Sequence, residues 1–219
     1  MCSEGGMQEK TVFLIKHGET EQNLRGIHQG QSVGGSISLQ GRADIRRVGE
    51  CFAASGLLID KMIVSPMQRC RESAALLSAL VPPVELCVDA RLNAKDSGHF
   101  GGRPRQCANE EAERQGIPLH QFRAPGGESS EDVLVRYRKA WNAAKSDSSN
   151  TIIFIGHGGG IACLLLWLNR DGFHKYLEYV PTSAAVTMLR VNSRPKIQFM
   201  NAKPSQLCDL LEKHMSKRI

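Results

Sequence analysis

Four short runs of apolar, β-prone residues, separated by stretches of helical periodicity, constrain this chain more than any other feature. The runs are 11–16 (TVFLIK), 59–65, 84–88 and 151–155; the helical patterns are 41–55, 67–80, 129–145 and 160–168. Runs of this length and composition read as buried strands. Strands alternating with helices predict an α/β fold, a three-layer αβα sandwich whose mostly parallel central sheet is covered on both faces. A strand pair at 184–191 and 196–201 and a helix at 205–215 complete the pattern. Two polar stretches, 25–41 and 96–130, read as loops. The length of 219 residues fits a single domain, with 1–10 flexible and 203–219 forming a C-terminal tail helix.

The composition narrows the functional classes. Apolar residues make up 41% of the chain and charged residues 23%, which is globular and excludes disordered and fibrous classes. The longest apolar run, 161–168, is far short of the roughly 20 residues a bilayer-crossing helix needs, so no membrane partner is expected. Residues 1–10 are polar and carry no apolar leader segment, which points to a cytoplasmic address. The 7 cysteines are odd in number, scattered and without a C-x-x-C pair, so they read as reduced structural thiols. The net charge of +6 favours anionic ligands. With aromatics at 5% and no basic run interleaved with them, small phosphate esters are favoured over nucleic acid, which is not expected as a partner. The oligomeric state is left open.

Three groups fall at equivalent places in the predicted sheet. His17 directly follows the first strand and His157 the fourth, inside Gly156-His157-Gly158-Gly159-Gly160. Arg69 falls in the first turn of the helix after the second strand, where Ser65 reads as N-cap and Pro66 as first helical residue. In a parallel sheet these positions share the rim outside the strand carboxyl ends, where helix N-termini favour anions. Singly, each residue has a bland reading as a cap, a solvated cation or a tight turn. Together, two glycine-flanked imidazoles and a guanidinium are hard to explain as packing. A zinc set of His17, His157 and His28 or His99 lacks the usual ligand spacing, so neither metal nor other cofactor is expected.

The segment Leu14-Ile15-Lys16-His17-Gly18-Glu19-Thr20, followed by Asn23, resembles the signature L-[IV]-R-H-G-[EQ]-[ST]-x-x-N of the histidine phosphatase superfamily, which includes the phosphoglycerate mutases. Gln29-Gly30, 37–41, 64–69, Arg91-Leu92-Asn93 with Gly98, 126–129 and 156–159 occur in the family's order. The resemblance implies a phosphoglycerate mutase-like fold and metal-independent hydrolysis of a small phosphorylated substrate through a phosphohistidine at His17. Lys16, Arg69 and His157 would grip the phosphoryl oxygens, and Asn23, Gln29, Gly30 and Gly158 would bind substrate.

Two departures bear on rate. Lys16 stands where the family has Arg, keeping the charge but losing the two-pronged donor. Ala94 stands where the family's R-L-x-E-x-x-x-G stretch supplies the Glu that protonates the leaving oxygen. Asp96, Glu19, His99 or His28 are the candidate substitutes. The departures leave two readings, an impaired phosphatase or a pseudophosphatase that binds phosphorylated ligands or partners. A mutase is less favoured, because only 94–157 is available for the insertion that mutases carry.

Overall fold

The computed structural model describes residues 9–215. In chain order its elements are β1 (Lys10–Lys16), α1 (Glu21–Leu24), α2 (Leu39–Ala54), β2 (Lys61–Val64), α3 (Gln68–Ser78), β3 (Glu85–Val88), α4 (Arg105–Arg114) and α5 (Ser130–Ser146). Then follow β4 (Thr151–Gly156), α6 (Gly158–Asn169), α7 (Tyr176–Tyr179), β5 (Val186–Val191), β6 (Pro195–Ala202) and α8 (Pro204–Met215). The sheet order is β3-β2-β4-β1-β5-β6. β3, β2, β4 and β1 are parallel to one another, and β5 runs antiparallel to both β1 and β6. This is the expected α/β sandwich.

Alternation along β1 divides the core between the two faces of the sheet, because successive side chains point to opposite sides. Phe13 and Ile15 pack with Ile45 and Phe52 of α2, Leu77 of α3 and Leu207 and Leu211 of α8. Val12 and Leu14 pack with Tyr137 and Trp141 of α5 and Leu164 and Leu165 of α6. Burying one such side chain contributes about 1.5–3 kcal/mol. α6 reaches the sheet closely because Gly160 faces the Tyr137 ring, whose Cζ would lie 2.0 Å from a Cβ there.

The structure corrects several sequence expectations. β3 is exposed along its length; it is one of the two edge strands, and Leu86 and Val88 are about half exposed. The polar stretch 96–130 contains α4, a helix whose buried residues are Ala108 and Ala112. Ser65 does not cap α3, which starts two residues beyond Pro66 with Met67 as N-cap and no side-chain cap bond. Ser65 is fully buried, and its hydroxyl instead faces Asn93 and His157. The cysteines are not all reduced thiols. Cys51 of α2 and Cys208 of α8, 157 residues apart in sequence, form a disulfide. Lys10, expected in a flexible end, opens β1; the rest of that expectation, for 1–8, lies outside the described residues, as do positions 216–219 of the tail.

Candidate active site

Strand register brings the two histidines together. β1 and β4 pair in parallel with Lys16 opposite Gly156, so the next residue on each strand leaves the sheet at the same level. The His17 N–H donates to the Gly156 carbonyl at 3.1 Å, and the imidazole centroids lie 5.1 Å apart with an interplanar angle of 61°. Arg69, the second residue of α3, joins them from beyond β2. His17, Arg69 and His157 are all at most 5% exposed.

The two rings differ in what fixes their hydrogen bonding. His17 Nδ1 lies 2.7 Å from the Gly18 carbonyl oxygen, which can only accept, so Nδ1 carries the proton and Nε2 presents a lone pair. Burial, then the Arg69 guanidinium, lowers the His17 pKa to about 3, so the ring is neutral at physiological pH. His157 is pushed well below the ordinary histidine value by burial and then by His17 and Arg69. His157 Nε2 is 3.0 Å from Ser65 Oγ, and Ser65 Oγ is 3.1 Å from Asn93 Oδ1. The single Ser65 proton goes to one of these two acceptors and thereby selects the His157 tautomer.

Two buried nitrogens, Arg69 Nε and His157 Nδ1, have no hydrogen-bond partner among the described residues. Leaving one buried polar group unmet costs about 1–3 kcal/mol. Arg69 is held from its other end, since Nη2 donates to the Gly30 carbonyl at 3.1 Å. Gly30 has φ +50°, and a Cβ there would sit 2.7 Å from Ser97 Oγ, so only glycine brings this carbonyl to the arginine without strain. Lys16 Nζ donates to the Pro181 carbonyl at 3.2 Å. Burial, then Arg105, lowers its pKa to about 8.

All eight site residues expected from sequence line one cleft of about 590 Å³: Lys16, His17, Asn23, Gln29, Gly30, Arg69, His157 and Gly158. Gln29 Oε1 accepts from Thr20 Oγ1 at 3.0 Å and from Asn23 Nδ2 at 3.3 Å, which fixes the α1 side of the rim. A larger cavity of about 680 Å³, lined by Trp167, Arg170 and Arg194, contains none of these residues.

Ala94 also lines the cleft. Its carbonyl accepts from Arg136 Nη2 at 2.8 Å and Gln31 Nε2 at 3.0 Å, and Arg136 Nη1 also binds the Arg91 and Asn93 carbonyls. The backbone at 94 is therefore held in place. Of the candidate substitute acids, Asp96, Glu19 and His99 are absent from the lining and His28 is present; among the described residues no Asp or Glu lines the cleft. Asp96 Oδ1 accepts from the Gly98 N–H instead. Among the described residues, no three His, Cys, Asp or Glu side chains stand close enough to hold a metal ion.

Sequence reasoning missed Lys95, Arg105 and His120, which share the lining. For Arg105 and His120 the signal lay in the second polar stretch, which meets the first in an antiparallel bridge between Ile27 and Pro104; Lys95 stands just ahead of that stretch.

A family profile described as the histidine phosphatase superfamily (branch 1) matches residues 12–203. A broad-specificity phosphatase of Saccharomyces cerevisiae is 27% identical over 185 residues, covering 81% of this chain and 78% of the relative. A 2,3-bisphosphoglycerate-dependent phosphoglycerate mutase of Afipia carboxidovorans is 26% identical over 174 residues, covering 75% and 83%. Among solved structures, a mycobacterial glucosyl-3-phosphoglycerate phosphatase complexed with VO3 superposes with a TM-score of 0.74 at 24% identity, covering 89% of this chain and 100% of that one.

Proposed function

This chain belongs to the histidine phosphatase superfamily, and from that membership we propose that it hydrolyses small phosphate monoesters through a phosphohistidine at His17. The observation that carries the reading is the pair of buried, unpartnered nitrogens, Arg69 Nε and His157 Nδ1, beside the His17 lone pair. A tetrahedral phosphoryl group offers the acceptor oxygens these positions lack.

The chemistry follows from the geometry. His17 Nε2 attacks phosphorus in line, the N–P bond forms, and the P–O bond to the leaving group breaks with its electron pair on oxygen. Arg69 and Lys16 meet the charge on the phosphoryl oxygens. His157 donates from Nδ1 to one of them, which requires the Ser65 hydroxyl to donate to Nε2. Water then attacks phosphorus, returns the electron pair to His17 Nε2 and releases inorganic phosphate. The departing oxygen must gain a proton, and Ala94 has none to give. A positioned general acid contributes about 10² to 10⁴-fold, so esters with acidic leaving groups are the faster substrates.

That no described Asp or Glu lines the cleft favours a second reading, in which the chain binds phosphorylated ligands without turning them over. One experiment separates the two: incubation with aryl, acyl and alkyl phosphates, alkaline quenching, and mass spectrometry for phosphohistidine alongside released phosphate. Hydrolysis predicts phosphate on His17 and none in His17→Ala. Anion binding without phosphoenzyme supports the second reading. No binding of vanadate or phosphate at millimolar concentration overturns both.

A further inference from the structure

The larger cavity, of about 680 Å³, lies outside the catalytic cleft and holds none of the residues that the proposed hydrolysis uses. Its walls come from Leu134 on α5, from the end of α6 with Trp167 and Arg170, and from Arg194 and Pro195 at the turn into β6. Cavities that take small molecules are typically about 300–1,000 Å³ and mostly apolar, with a few convergent polar groups. Here leucines, Trp167, Phe173 and Pro195 supply the apolar part.

The charged groups of the lining are unbalanced. Neither the Arg170 nor the Arg194 guanidinium has an ion pair or hydrogen bond among the described residues. Asp171, the carboxylate of the lining, is already engaged: it accepts from Lys175 Nζ at 2.8 Å, from Asn169 Nδ2 at 2.7 Å and from the Tyr179 hydroxyl. The Arg138 guanidinium lies over the Trp167 ring, 4.6 Å from its centroid, and adds a further cation beside the cavity. Arg170 also holds its place against its backbone. Its φ is +61°, the left-handed conformation that ends helices and that glycine adopts without strain. The cap alone calls for glycine, yet an arginine stands there and lines the cavity.

Phe173 belongs to the lining of both the cavity and the catalytic cleft. Its ring stacks on His120, with centroids 4.6 Å apart and planes within 7° of parallel, and stands 6.4 Å from the Tyr176 ring. His120 and Tyr176 both line the cleft. We propose that the cavity is a second binding site, for an aromatic carboxylate whose rings pack on Trp167 and Phe173 and whose charge is met by Arg170 and Arg194, and that its occupation is felt in the cleft through Phe173. A guanidinium pairs with a carboxylate through two parallel N–H bonds, and flat rings gain from stacked or edge-on contact with other rings. The site uses none of the catalytic residues, so it stands or falls apart from the hydrolytic reading.

The test is binding followed by NMR. The chain has 2 tryptophans, and Trp141 is buried in the core at 3% exposure, so the two indole N–H resonances report on the cavity and on the fold separately. Titration of isotope-labelled protein with 2-naphthoate should shift Trp167 saturably, leave Trp141 unmoved and shift the His120 ring together with Trp167. The neutral 2-naphthamide should bind at least about 10-fold more weakly, and Arg170→Gly and Arg194→Gln should each weaken naphthoate binding about 5-fold. Arg170→Gly should hold or raise Tm, because glycine relieves the left-handed cap, so that its lost affinity is not lost fold; Arg194→Gln checks the same charge pairing from an unstrained position. Vanadate, the probe of the catalytic cleft, should not compete with naphthoate. An absent or unsaturable Trp167 shift, equal affinities for acid and amide, undiminished binding in both arginine variants, or competition by vanadate overturns the site. A Trp167 shift with His120 unmoved overturns the link to the cleft.

Discussion

The floor of the cleft and its outer wall are built by different means. On the floor, His17 and His157 leave paired strands at one level, their rings are almost fully buried, and a backbone carbonyl sets the His17 tautomer. On the wall, Ala94, Lys95 and His28 come from irregular segments and Arg105 from the first turn of α4, joined by one bridge and a few backbone bonds. A one-residue shift of strand register would send every β1 side chain to the opposite packed face and mismatch both cores, so the floor geometry is tightly held. Loop residues change at little cost to the fold. His17 and Arg69 are accordingly present where the family motif has them, and Ala94, at the position proposed for the general acid, falls on the wall.

The sharpest way to break this comparison is on the floor. Arg69→Met removes the guanidinium proposed to meet the phosphoryl oxygens and should lower kcat/KM by about 10² to 10³-fold. It also removes the second-largest cause of the low His17 pKa. The His17 resonance should then titrate at a higher pH than in the parent, as NMR would show. A loss of activity with unchanged His17 titration would mean that Arg69 does not sit beside the ring.

On the wall, restoring a carboxylic acid should raise activity. Ala94→Glu should increase hydrolysis of alkyl phosphates by about 10²-fold, with a smaller gain for aryl phosphates, whose leaving oxygens need less help. The backbone at 94 is held by Arg136 and Gln31, so the new side chain starts from the cleft lining. Steady-state rates across a series of leaving-group pKa values check this. An equal gain for alkyl and aryl esters would point to an electrostatic effect rather than to proton donation.

What could be read from sequence divides along the same line. The four strands, the histidines after them and Arg69 were legible because apolar runs and glycine-flanked polar residues report strand ends directly. α4 was not. Its sequence RQCANEEAER buries only Ala108 and Ala112, one turn apart, and two alanines make too thin a stripe to register as amphipathic. With α4 unread, Arg105 had no reason to be placed near Lys16. Ser65 has the composition of a cap, but a buried hydroxyl between Asn93 and His157 is a tertiary fact. The Cys51–Cys208 pair depends on α8 packing on α2, which no local spacing encodes. β3 is as apolar as its neighbours, and only sheet order makes it an edge.

The smallest effect tests where floor meets wall, at Lys16. A buried lysine whose pKa is lowered to about 8 carries its charge below that pH and loses it above, whereas arginine stays charged throughout. Anion affinity and kcat/KM should therefore fall as pH rises through about 8, by roughly 10-fold, the worth of one charged contact. A bound dianion favours the ammonium form, so the same limb in kcat should lie at higher pH. Lys16→Arg should abolish the alkaline fall and raise kcat/KM at pH 9 more than at pH 7. His17, neutral well above its value of about 3, adds no limb in this range. If the alkaline fall persists in Lys16→Arg, another group titrates there, and Lys95, a second lysine of the lining, is also lowered by burial. The fall would then vanish in Lys95→Met, moving the pH-sensitive charge from the floor to the wall.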